Sequence, residues 1–302
     1  MKKSVLLFLI TIPVLLSAQT KDTVLHNVPV NAVTVADTNT AAVTLFKKPK
    51  HFEFITNIPK DLYGFTKNSF RRKNHKDLAI VAGATAILFF ADQAIANSIQ
   101  SSFRNAGIHA TENYSPIIQI NIGGKTTNLG KLPHNINTAF YNLGQGSSTM
   151  LLAGGFYLIG KIKKDNRALQ TASQLAEAFI SLGFSTQVIK YSTGRENPSD
   201  ATAIRGRWRP FPSWSNFQNN KTRYDAFPSG HLATFVSTVT IIGENYPHIK
   251  WIKPVGYSIA GLIGLSMINN GVHWASDFPL GFALGYGFGK FISRKSRFTL
   301  VH

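Results

Sequence analysis

An all-α fold is the class this sequence predicts, and three observations predict it. Six apolar runs of helical length follow one another between residues 78 and 292. No period-two alternation of comparable length lies outside the loops between them. Finally, 44% of the 302 residues are hydrophobic, enough for one large core and too many for a disordered chain.

The runs are "LAIVAGATAILFFADQAIA" (78–96), "TMLLAGGFYLIG" (149–160), "LQTASQLAEAFISLGFSTQVI" (169–189), "LATFVSTVTIIG" (232–243), "GYSIAGLIGLSM" (256–267) and "FPLGFALGYGFGKFI" (278–292). Only the first approaches the length of a membrane span, and it contains Asp92. The third carries Gln170, Gln174, Glu177 and Gln187. Such helices fit a buried bundle as well as lipid-facing spans. In the sixth run, Gly281, Gly285 and Gly289 recur every four residues, a small-residue stripe for close helix packing. No strand precedes it, so it is not read as a nucleotide loop.

Outside the bundle the chain divides simply. Residues 1–18, "MKKSVLLFLITIPVLLSA", have two lysines, an apolar run and small residues at the end, as a secretory signal peptide does. Residues 19–74 show no sustained helical period and read as an N-terminal tail. The helical domain is expected over 75–293, followed by a basic C-terminal tail over 294–302.

Charge and residue content narrow the chemistry. Lys and Arg number 32 against 14 Asp and Glu, which favours anionic partners such as phosphate esters or an anionic membrane surface. No nucleic-acid-binding module accompanies the charge, so nucleic acid is not expected as a partner. There is no cysteine, which excludes disulfides, thiol nucleophiles and Cys-ligated metals. The nine histidines show no metal-ligating spacing, so no metal or other cofactor is expected. The sequence carries no signal of oligomeric state.

Three polar stretches sit at the ends of apolar runs. "KYSTGRENP" (190–198) follows the third, "FPSGHLATF" (227–235) opens the fourth, and "SMINNGVHWASDFPLG" (266–281) joins the fifth to the sixth. At a helix start the unpaired N–H groups and the helix dipole favour anions. There Ser229 can donate its hydroxyl, Gly230 admits close backbone approach, and His231 can supply a proton. His273 and Asp277, four residues apart, would share one face if helical. A carboxylate so placed fixes the imidazole tautomer and raises its basicity.

In this order and spacing the stretches resemble the three motifs of the type 2 phosphatidic acid phosphatase and vanadium haloperoxidase superfamily. The register is Lys190 with Pro198, then Pro228-Ser229-Gly230-His231, then Ser266 with His273 and Asp277. The resemblance covers roughly residues 75–293 and implies a six-helix bundle of that kind, partly membrane-embedded in some members. It implies a metal-independent phosphatase acting on phosphate monoesters or pyrophosphates through a phosphohistidine, with a phosphorylated lipid or small phosphate ester as substrate. His273 would be the nucleophile, Asp277 its orienting carboxylate and His231 the acid. Lys190, Ser229 and Gly230 would cradle the phosphate.

Two positions depart from the family pattern. Asn197 and Met267 stand where the family has phosphate-gripping arginines, and losing them should weaken phosphate binding. Arg195, in the same loop as Asn197, is expected to reach in as a substitute. Arg205, Arg207 and Arg209, or the neutral donors Asn269 and Asn270, offer further replacements. Trp208, Phe211 and Trp214 would suit a lipid interface. The departures also support two other readings: a weakened relative that binds phosphorylated lipid without turnover, or, ranked lower, a vanadate-dependent haloperoxidase. A cleaved signal and six spans would put the motifs in the cytoplasm, whereas the basic loops "GKIKKDNR" and "PHIKWIKP" favour an external site. The reading that reconciles them is an exported, periplasmic bundle docked on anionic membrane by its basic surface.

Overall fold

The computed structural model of the chain describes residues 42–110, 114–122, 125–295 and 297–301. The signal peptide and the first part of the tail lie outside the described residues. Helix dominates. In chain order the helices are α1 (Glu53–Thr56), α2 (Ile58–Ser69), α3 (His75–Asn105), α4 (Ile136–Gly144), α5 (Gly146–Lys163), α6 (Asn166–Thr193), α7 (Trp214–Asn219), α8 (Gly230–Asn245), α9 (Ile252–Asn269) and α10 (Phe278–Lys295).

The six expected helices are α3, α5, α6, α8, α9 and α10, each longer than its apolar run because local chemistry sets the ends. Asp165 caps α6 by accepting the N–H groups of Arg167 and Ala168, and Gly194 ends it in the left-handed region at φ 57°. A side chain at Gly194 would collide with the Arg209 carbonyl, 1.8 Å from where its Cβ would sit. Ser229 caps α8 by accepting the Leu232 N–H.

Helix α8 lies at the centre, packed against α5, α6, α9 and α10. The glycine stripe of α10 makes this possible. Cβ atoms added at Gly281, Gly285 and Gly289 would stand 2.7, 2.3 and 3.0 Å from the carbonyls of Ser229, Ala233 and Ser237. Around this seam Leu175, Leu182, Val236, Ile241, Phe288 and Ile292 are buried.

The structure departs from the sequence reading in three places. The tail at 19–74 contains α1 and α2, and α2 is anchored to the bundle. Phe65 stacks on Phe288 with ring centroids 3.8 Å apart, and Lys295 of α10 bridges Asp61 and Glu177. The presumed C-terminal tail at 294–302 instead completes α10 and then forms β4 (Arg297–Val301), antiparallel to β1 (Ala42–Phe46). A hairpin of β2 (Tyr114–Ile122) and β3 (Lys125–Pro133) stands between α3 and α4. These two small sheets leave the all-α class unchanged.

Among the described residues, one helical stretch, Arg72–Asn105, is long and apolar enough to cross a membrane. It is mostly unburied: Ile87 is 68% and Phe90 76% exposed.

Candidate active site

The three polar stretches converge at the end of the bundle where α6 and α9 terminate and α8 and α10 begin. His273 is buried. Its Nδ1 lies 2.7 Å from the Ala226 carbonyl. A carbonyl only accepts, so Nδ1 carries a proton, and in the neutral ring Nε2 is the nitrogen with the lone pair. Nε2 is buried without a hydrogen-bond partner among the described residues. The geometry is that of an imidazole held by one nitrogen with the other free to react.

Asp277 is near but is not the closest partner of that ring. Its Oδ2 lies 3.4 Å from His273 Nδ1 and accepts the Trp274 N–H at 2.7 Å. The expected shared helical face does not exist: His273 lies in the loop before a 3-10 turn, Ala275–Asp277, and that turn brings the carboxylate round. The orienting work is divided between the Ala226 carbonyl and the carboxylate.

His231 occupies the first turn of α8, its ring centroid 5.9 Å from that of His273 and 5.4 Å from that of Tyr141. Burial, then the proximity of His273 and Lys190, pushes its pKa below the ordinary histidine value. Lys190 is buried in the last turn of α6, with Nζ 3.8 Å from Asp225. It borders Gly230, where an added Cβ would stand 4.0 Å from Lys190 Cε. Lys190 and Gly230 are thus neighbours, as are His231 and His273.

The two departures from the family pattern are both buried. Met267 is fully buried, and the Ser229 hydroxyl donates to its sulfur at 3.5 Å. Asn197 is held by its N–H to the Thr222 carbonyl at 2.8 Å, and its Oδ1 is a buried acceptor without a partner among the described residues.

Arg195 is not placed as a substitute phosphate donor, which corrects the sequence reading. Its NH1 donates to Asp277 Oδ1 at 2.5 Å and Ser276 Oγ at 2.7 Å, and its NH2 to Asp92 Oδ2 at 2.6 Å. The guanidinium is fully buried, packed against the rings of Trp208 and Trp274. With both terminal nitrogens committed to carboxylates, it braces Asp277 from behind. The other proposed replacements are also engaged. Arg209 pairs with Glu196 and Arg205 lies over Phe89 and Phe90. Asn269 donates to Asn137, whose amide in turn donates to Asn270 at 2.6 Å. The Arg207 side chain is exposed.

Sequence reasoning missed three contributors. Asp92 accepts the Ser276 N–H at 2.9 Å and its hydroxyl at 2.6 Å, fixing the 3-10 turn from α3. Ala226 acts only through its carbonyl. Glu196 gathers the arginine-rich loop: although burial raises its pKa, the N–H groups of Arg207 and Thr202, the Thr202 hydroxyl and Arg209 bring it down to about 2. For Asp92 a signal was available, since a lone carboxylate inside an apolar helix needs a buried partner. Among the described residues no three His, Asp or Glu side chains converge at metal-ligating spacing.

The profile of the PAP2 superfamily matches residues 171–299, which contain all three polar stretches. A 74-residue segment is 35% identical to a lipid A 1-phosphatase of Porphyromonas gingivalis, covering 24% of this chain and 17% of that protein. The chain therefore aligns with about a sixth of that relative's length. A crystal structure of a transmembrane PAP2-type phosphatidylglycerolphosphate phosphatase from Bacillus subtilis superposes with a TM-score of 0.42 at 16% identity, over 80% of this chain and 94% of that one.

Proposed function

We propose, from the match of residues 171–299 to the PAP2 superfamily profile, that the chain is a member of that superfamily and a phosphatase of lipid phosphates that works through a phosphohistidine. One observation carries the reading: His273 is buried with Nδ1 pinned and Nε2 free, beside His231 and Lys190.

In the first step His273 Nε2 attacks phosphorus and a P–N bond forms. The P–O bond to the leaving group breaks, and that oxygen takes a proton from His231. Water then attacks phosphorus, giving its proton back to His231, and the P–N bond breaks to release phosphate. Lys190 and the Ser229–Gly230 backbone at the start of α8 stabilise the charge on the non-bridging oxygens. Asp277 and the Ala226 carbonyl stabilise the positive charge that develops on the His273 ring. The phosphohistidine chemistry needs only the chain's own residues.

The protein is proposed to act at a membrane, on phosphate esters or pyrophosphates of envelope lipids, from the periplasmic side. The stretch 72–105 supports the membrane association, as do the outward apolar side chains of α5, with Leu151 at 77% and Ile162 at 79% exposure. Asp92 does not count against a span, because Arg195 neutralises it. The buried Met267 and Asn197 favour a second reading, a relative that binds lipid phosphate without turnover.

Phosphate release from an aryl phosphate, phosphatidic acid and a prenyl pyrophosphate separates these. Turnover lost in His273→Ala, with an acid-labile phosphoryl label in the wild type, is the expected result. Absence of turnover by folded wild type on every substrate would favour the binding-only relative.

A further inference from the structure

The loop over residues 204–214 takes no part in the proposed reaction. It is firmly bonded, yet it exposes large apolar side chains: Ile204 is 73%, Phe211 68% and Trp214 67% exposed. The backbone is held from beneath. Buried Glu196 accepts the N–H groups of Thr202 and Arg207 and pairs with Arg209. The Arg209 N–H donates to the Gly194 carbonyl at 2.9 Å, and the Phe211 N–H to that of Tyr191 at 3.0 Å. Arg205 and Phe211 lie in the left-handed region, at φ 68° and 53°, which residues with a Cβ seldom occupy. Strain kept at two positions of one well-bonded loop points to a use for its shape.

Both ends of this loop rest where an outward apolar stripe stops. On α3 the outer face is apolar through Ile80, Ile87 and Phe90, and then turns polar at Asn97, Ser98 and Ser101. Arg205 lies over the rings of Phe89 and Phe90, and its N–H reaches Gln93 Oε1 at 3.4 Å. Trp208 packs on Phe89. On α6, Ile180, Phe184 and Val188 are exposed four residues apart. That face ends at Tyr191, whose ring meets those of Phe211 and Trp214. The loop thus joins two stripes at the level where apolar surface gives way to polar. Its cations are available: Glu196 is taken by Arg209, and Arg205 and Arg207 form no ion pair among the described residues.

We propose that this loop is an interfacial platform that seats the protein on an anionic leaflet. Ile204, Phe211 and Trp214 enter the boundary between headgroups and hydrocarbon, where amphipathic rings concentrate. Arg205 and Arg207 bind the phosphate of an anionic phospholipid that neighbours the substrate and is not itself the substrate. The occupant is a lipid surface because apolar and cationic side chains share one exposed edge, at the depth the two stripes set. A soluble anion would engage the arginines and leave the rings in water. Tyr191 follows Lys190, and Trp208 packs on Arg195, so the platform fixes how far the candidate site stands from the lipid phosphates. The inference rests on reading α3 as a span and does not depend on turnover.

The chain has no cysteine, so Trp214→Cys carries a single bimane label in place of the indole, and Ile87→Cys carries one on α3. Each labelled full-length protein is placed in nanodiscs of phosphatidylcholine and phosphatidylglycerol in equal amounts, with brominated tails on one lipid or the other. Phosphatidylglycerol is a phosphodiester with no terminal phosphate to release, and quenching reports contact with each lipid. The expected result is equal quenching by both lipids at 87, and at 214 a preference for phosphatidylglycerol of about fivefold. That preference should vanish in Arg205→Gln/Arg207→Gln and shrink in Arg207→Gln alone, where the replaced side chain is exposed. No quenching at 214 by either lipid, or an equal response to both, overturns the platform, as does a preference that both arginine variants retain. A label at 87 that neither lipid quenches refutes the span, and the label at 214 still decides the platform.

Discussion

At the residue scale, the site turns on two histidines with opposite needs. In the proposed reaction His273 attacks through Nε2, and the Ala226 carbonyl favours the tautomer that has its proton on Nδ1. The proposed acid role requires His231 to carry a proton when the leaving oxygen departs, yet burial, His273 and Lys190 depress its pKa. With a pKa below the usual 6.5 it is neutral at pH 7 in the free protein. A bound phosphate dianion reverses the local field and favours the imidazolium. Ligand binding at pH 7 should therefore draw in a proton, approaching one per site. Calorimetry of vanadate binding in buffers of different ionisation enthalpy measures this, and the uptake should vanish in His231→Gln; equal uptake in both proteins would remove His231 from the acid role. The sequence singled out the histidines, Asp277, Lys190 and Gly230 because each lies in a short motif whose spacing is local. It misassigned Arg195 because a side chain's partners depend on α3, more than a hundred residues away in the chain.

At the element scale, the unit that matters is the join between α3 and the 3-10 turn Ala275–Asp277. Asp92 receives two bonds from Ser276 and one from Arg195, and Arg195 passes to Asp277. All four side chains are buried. Removing one partner of a buried ion pair leaves the other charge uncompensated, at a cost of about 3–5 kcal/mol. Asp92→Ala should lose about that much stability in denaturant titrations. Asp92→Asn keeps the shape and part of the bonding, so it should fold. Its kcat should fall by about tenfold to a hundredfold with KM little changed, as when supporting shells are loosened. A KM effect with kcat intact would mean that Asp92 serves binding instead of holding the turn. The six long helices were readable because apolar runs of that length have few alternatives. α2 was not, because Pro59, Asp61 and Gly64 break its pattern. Its contacts are tertiary: Phe65 on Phe288, and Asp61 with Lys295.

At the scale of the whole molecule, two attachments to a membrane make different demands. A net charge of +18 would hold a bundle to anionic lipid by attraction alone, and salt weakens such attraction: the screening length drops from about 10 Å at 0.1 M to about 3 Å at 1 M. A helix that crosses the bilayer is held by burial of its apolar side chains, at roughly 25 cal/mol for each Å² removed from water, and salt does not weaken that. The exposed side chains decide which demand this fold meets. Ile80, Ile87 and Phe90 on α3, and Leu151, Leu158 and Ile162 on α5, face outward with none of the described residues covering them. Such a surface is costly in water and neutral in hydrocarbon. The paired Asp92 sits on the inner side of the same helix, where a span can tolerate it. Membranes containing the protein should therefore keep it through washes at about 1 M salt and at alkaline pH, and release it only to detergent. Release by salt alone would mean that α3 lies on the surface and that the basic loops hold the bundle in place.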